Sequence, residues 1–127
     1  MAAKILVIDD SASVRRQVSS ILGPEGFDIV EAADGIEGSE QIRKLEDLAL
    51  VLCDINMPRL NGLDMLESLS EEIAKKSLPV VMLTTEGEPA AMSRARQAGA
   101  RGWIIKPFKE QLLVGAVKKL TAPGGGR

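Results

Sequence analysis

Histidine and tyrosine are absent from this chain, and cysteine and tryptophan occur once each, as Cys53 and Trp103. Without histidine there is no His-ligated zinc, no Ser-His or Cys-His nucleophile, and no histidine phosphorylation within the chain itself. A single cysteine excludes an internal disulfide, and its place inside an apolar run marks it as a buried structural thiol. No apolar run approaches the roughly 18 residues of a membrane helix, and the N-terminus lacks the basic-then-apolar layout of a secretory signal. Strong basicity is missing as well. The formal net charge is −2, whereas a nucleic-acid surface usually leaves a clear basic excess. The expected partners are proteins or small anions, with no nucleic acid and no membrane, and the expected location is the cytoplasm.

What is present fits one globular domain: 45% hydrophobic and 27% charged residues over 127 positions. Short β-branched runs alternate with stretches of helical period, the pattern of βαβ units around a parallel sheet. Val14, Val18, Ile21 and Leu22 mark a first helix, with Ser11 or Ser13 as its N-cap and Gly23-Pro24 as its stop. Asp28–Ala32 reads as a second strand and Asp34-Gly35 as a turn, before a second helix from Ile36 to about Glu46 carried by Ile42 and Leu45. A third helix from near Gly62 should bury Leu66, Leu69 and Ile73, and Pro79 opens a fourth strand. The fourth helix begins near Pro89 with a thin face of Met92 and alanines, and the fifth shows a stripe of Leu112, Leu113, Ala116, Val117 and Leu120. Residues 1–121 form the domain, and 122–127 read as a flexible tail or cloning remnant.

Four apolar runs stop at residues that can do chemistry. Ile5–Ile8 ends at Asp9 and Asp10, Leu50–Cys53 at Asp54, Val80–Leu83 at Thr84, and Trp103–Ile105 at Lys106. In an open parallel sheet these ends share one edge, where ligands bind. Asp9 and Asp10 taken alone read as helix caps. Asp54 ends a central strand, where a carboxylate is costly unless paired or ligated. Three mutually repelling carboxylates call for a cation, and oxygen-only ligands suit Mg²⁺. Lys106 and Thr84 suit the oxygens of a phosphoryl group, with Asp54 as the nucleophile that forms an acyl phosphate. The competing reading is a structural ion-pair cluster in which Lys106 neutralises Asp54.

The stretches Ile5–Ser11, Asp54–Pro58 with Asn61-Gly62, Leu83-Thr84 and Lys106–Phe108 closely resemble the receiver domain of bacterial response regulators, in order and over residues 4 to about 120. The single-domain chemotaxis CheY type is the nearest likeness. The resemblance implies a flavodoxin-like, doubly wound five-stranded parallel sheet of order 2-1-3-4-5 with five helices, an order of which CheY is itself a standard example. It implies Asp54 as phosphoacceptor, Asp10 as a direct Mg²⁺ ligand, Asp9 acting through metal-bound water, and the backbone carbonyl of Asn56 completing the protein's share. Thr84 and Lys106 would bind phosphoryl oxygens, and the Lys106–Pro107 bond would be cis. Trp103 stands where tyrosine or phenylalanine usually turns inward as the threonine moves. Thr85 replaces a small residue and would narrow access to Asp54, while Asn56 and Glu86 would tune hydrolysis toward a transient signal.

Implied partners are a histidine kinase, a downstream protein at the face of the fourth helix, fifth strand and fifth helix, and a phosphatase, with the chain a monomer. Its only catalysis would be self-phosphorylation from a phosphodonor and autodephosphorylation. The alternatives are a phosphorylation-independent binding module, an intermediate in a phosphorelay, and a flavin-binding protein of similar topology. Too few aromatics to sandwich a flavin ring, and an acidic pocket, tell against the last.

Overall fold

Successive residues of the central strands face two different cores. The computed structural model describes residues 2–122. In β1 (Lys4–Ile8), Leu6 and Ile8 point to one face while Ile5 and Val7 point to the other. The same alternation runs through β3 (Leu48–Cys53) and β4 (Val80–Thr84), whose residues from Leu50 onward are all buried. This period of two inside solidly apolar runs is what a sheet covered on both faces requires. β2 (Asp28–Ala32) and β5 (Ala100–Ile105) lie at the sheet edges and are more exposed. All pairings are parallel, and the strand order is β2-β1-β3-β4-β5, as the resemblance implied.

α1 (Ala12–Leu22) and α6 (Glu110–Thr121) cover the face of Ile5, Val7, Leu50 and Leu52 with Val18, Leu22, Leu113 and Val117. α2 (Gly35–Lys44), α3 (Gly62–Ser68), α4 (Ser70–Lys75) and α5 (Pro89–Gln97) cover the other face. Of the two candidate caps for α1, Ser11 is the one used: its Oγ accepts the Val14 N–H at 3.3 Å. Gly23–Glu25 forms a short 3₁₀ turn where the helix was expected to stop.

Two expectations of detail need correction, the bounds of the second helix and the burial of Leu112. The five expected helices are present among the described residues, each of seven or more residues, and the short α4 is a sixth piece because the third stretch is broken at Leu69. The Ser68 hydroxyl donates to Met65 O at 2.8 Å and competes there with the Leu69 N–H, which also reaches Leu66 O. Such back-bonding bends a helix. The second helix starts at Gly35 and ends at Lys44, with Leu45 only capping it; its packing rests on Gly35, Gly38, Ser39 and Ile42. A Cβ at Gly38 would collide with Ile8, so glycine sets how closely α2 approaches β1. Leu112 is 56% exposed, since the buried face of α6 runs through Leu113 and Val117, one residue round the helix. Of the expected tail, Ala122 caps α6 and 123–127 lie outside the described residues. No helix among the described residues is long and apolar enough to cross a membrane.

Candidate functional site

Register brings the four run ends together. Ile8 pairs with Cys53 and Thr84 with Ile105, so Asp9, Asp54 and Lys106 emerge just beyond the sheet on one edge. The ladder continues one residue further: Asp54 N–H donates to Ile8 O and Lys106 N–H to Thr84 O, both at 2.9 Å. These bonds fix the backbone beneath each functional side chain.

Asp9 is 2% exposed, Asp54 7% and Thr84 0%, while Asp10 is exposed. Carboxylate oxygens of Asp9, Asp10 and Asp54 lie within 4.8 Å of one another. Lys106 Nζ sits 2.6 Å from Asp9 Oδ2 and 3.3 Å from Asp54 Oδ2. The remaining oxygens of the two buried carboxylates are also engaged, Asp9 Oδ1 by the Ser11 N–H at 2.9 Å and Asp54 Oδ1 by the Ile55 N–H at 2.7 Å. Burial disfavours the Lys106 ammonium, but its hydrogen bond to Asp9 and the charge of Asp54 outweigh that cost and hold its pKa above the ordinary lysine value. One ammonium against three carboxylates leaves an excess of negative charge. With an all-oxygen donor set the cluster can bind a hard cation.

The Glu86 peptide links Thr84 to Trp103. Its N–H donates to Thr84 Oγ1 at 3.2 Å, and its carbonyl accepts the Trp103 Nε1–H at 2.9 Å. Trp103 is thus a half-buried ring packed on the α2–α5 side of the core with its indole N–H satisfied. The Glu86 carboxylate accepts the Glu88 N–H at 3.2 Å. Thr85 is exposed and lines a cavity of about 310 Å³ with Val14, Gln17, Lys106, Pro107 and Phe108. Asn56 is exposed on the loop after β3, and the Lys106–Pro107 bond is cis, as implied. Gly62 packs against the backbone of Asp54, where a Cβ would overlap the Asp54 carbonyl.

Two arginines at the rim escaped the sequence reading. Arg15 Nη1 donates to Asp9 O at 2.5 Å and Nε to Glu31 Oε1 at 2.8 Å. Arg59 binds Asp34, which was read only as a turn residue but is the N-cap of α2, accepting the Glu37 N–H at 2.9 Å. Glu37 reciprocates by accepting the Ala33 N–H at 3.0 Å. The Asp34-x-x-Glu37 spacing was the available signal for that cap. Nothing in the sequence signalled either arginine's partner.

Residues 5–118 match the family model of the response regulator receiver domain. The chain belongs to the response regulator receiver family. It is 36% identical to the chemotaxis protein CheY homolog of Campylobacter jejuni over 97% of this chain and 95% of that protein. It is 38% identical to chemotaxis protein CheY1 of Helicobacter pylori over 87% and 90% respectively. Among solved structures, Vibrio cholerae chemotaxis protein CheY4 superposes with a TM-score of 0.86 at 32% identity, covering 94% of this chain and 99% of that one. A Borrelia burgdorferi structure described as a CheX-CheY-BeF3-Mg²⁺ complex gives 0.85 at 27%, covering 95% and 90%. The receiver is therefore of CheY type, and two-component signal transduction in chemotaxis is the setting its relatives share.

Proposed function

We propose that this receiver is a Mg²⁺-dependent phosphorylation switch that accepts a phosphoryl group from a histidine kinase on Asp54 and signals by binding another protein, in chemotaxis or motility. The observation that carries the reading is Asp54 itself. It is a buried carboxylate at a central strand end, beside Asp9 and Asp10 and within 3.3 Å of the one ammonium of the site. Asp10 and Asp54 would hold the ion directly with the backbone carbonyl of Asn56, and Asp9, already engaged by Ser11 and Lys106, would be the outer carboxylate. When bound, Mg²⁺ supplies charge neutralisation for the oxygens of the transferring group.

The chain's own residues do the rest. An Asp54 carboxylate oxygen attacks phosphorus as the P–N bond of the donor phosphohistidine breaks, and the imidazole departs with the bonding pair and takes a proton. Lys106 and the Thr84 hydroxyl stabilise the transferring oxygens. Drawing Thr84 toward the phosphoryl group strains its link to the Glu86 peptide and so to Trp103. Beside Trp103, Met92, Ala95, Arg96 and Ala100 line a groove of about 230 Å³ between α5 and β5, and this face together with α6 is the surface offered to the downstream protein. A phosphatase that clears the signal, a monomeric state and a cytoplasmic location belong to the same reading. So does the absence of catalysis beyond self-phosphorylation and autodephosphorylation.

A Phos-tag gel after incubation with acetyl phosphate and Mg²⁺ tests it. A shifted band should form with the wild-type chain and vanish with D54A or with chelator. A wild-type chain that never shifts would sink the proposal.

A further inference from the structure

The loop that carries Asn56 is clamped from outside the metal site. The chain leaves the sheet at Asp54 and returns to begin α3 at Gly62, where the Gly62 N–H donates to Ile55 O at 2.8 Å and closes the neck of the loop. At its far side Leu60 O accepts the Gly35 N–H at 3.2 Å. Arg59 adds a fork: Nε donates to Asp34 Oδ2 at 2.8 Å and Nη2 to Asp34 Oδ1 at 3.2 Å. Asp34 is 7% exposed and already fixed as the cap of α2, so Arg59 docks on a rigid post. Arg59 itself has φ of 67°, a left-handed conformation that a residue with a side chain keeps only where its surroundings hold it.

We infer that Arg59 and Asp34 are positioning residues for the metal, acting through the shape of loop 55–61. The inference rests on the function proposed above, in which Asn56 lends a carbonyl to Mg²⁺. A backbone carbonyl has no rotamer with which to seek an ion. Its place is set by the loop's dihedrals alone, and any disorder in the loop must be removed when the ion binds. A bidentate Arg–carboxylate pair suits this task because it fixes direction as well as distance. The same fork holds the Asp34 carboxyl below the ordinary carboxylate range, with the Glu37 N–H contributing. The clamp is therefore in place at neutral pH.

Calorimetric titration with MgCl₂ at constant ionic strength decides the matter, using wild type, R59A, R59K, D34N and the R59A/D34N double variant. D34N keeps an oxygen to cap α2 and loses the charge. R59K keeps the charge and loses the fork, and carries the test should R59A not fold. R59A and D34N should each weaken Mg²⁺ binding about tenfold, with R59K between wild type and R59A. The double variant should be no weaker than the worse single, because one interaction has been removed twice. Far-UV circular dichroism without metal should be unchanged. Affinities within about twofold of wild type, or losses that multiply in the double variant, would overturn the clamp. If those results came with a wild-type chain that binds Mg²⁺ and shifts on Phos-tag, the proposed function would stand and the clamp alone would fall. A wild-type chain that binds no Mg²⁺ overturns both.

Discussion

Cys53 sits one residue before the proposed phosphoacceptor, yet it is buried. Burial above all, then the charges of Asp54 and Asp9, push its thiol pKa well above the ordinary value, and its Sγ lies 3.1 Å from Asp54 O. Labelling by a thiol reagent at pH 8 should be at least about a hundredfold slower in the native protein than in denaturant, since only opened molecules expose a thiolate. Asp34 gives the pH signature. Its folded pKa is depressed, so its contribution to stability is complete above the ordinary carboxylate value of about 4 and is lost as pH falls through the lower folded value. Carbon-13 carboxyl titration should show that value returning toward the ordinary range in R59A. Trp103 is the only indole, and tyrosine is absent, so emission reports this one ring. Beryllofluoride with Mg²⁺ should change that emission, and an unchanged spectrum would count against movement of Trp103. Its identity as the unusual aromatic was legible in the sequence; its hydrogen bond to Glu86 O was not, because that contact spans 17 residues.

At the scale of elements, strands were more legible than helices. β1 and β3 announce themselves as solid apolar runs, since both of their faces are buried. A helix shows its buried side only by period, and adjacent leucines blur it. Leu113→Ala should cost about 2–5 kcal/mol in urea denaturation, whereas Leu112→Ala should stay within about 0.5 kcal/mol, because only the first leaves a cavity. The break between α3 and α4 depends on a Ser68 hydroxyl bond, which the apolar period of Leu66, Leu69 and Ile73 does not register. Gly62→Ala tests the junction of β3 and α3. A Cβ there meets the Asp54 carbonyl, which is backbone and cannot swing aside, so a loss of about 2 kcal/mol is expected in denaturant titration.

For the molecule as a whole, the site sets function against stability. Three carboxylates around one point repel each other, and Lys106 offsets only part of that repulsion. Asp10→Asn should therefore make the metal-free protein more stable while removing its response to Mg²⁺. In wild type, Mg²⁺ at a hundred times its dissociation constant should add about 2.7 kcal/mol, read as a rise in the thermal midpoint. The reverse pattern would contradict the electrostatic account.

The sequence by itself determined the sheet, its apolar strands and the residues that end them, because burial on both faces and the chemistry of Asp, Thr and Lys are written in consecutive positions. Tertiary structure alone decided which groups meet. Lys106 bridges Asp9 and Asp54 across 97 and 52 residues, and Arg59 reaches Asp34 across 25. Such pairings follow from register and loop shape, which depend on the whole packed fold and leave no periodic mark in the chain.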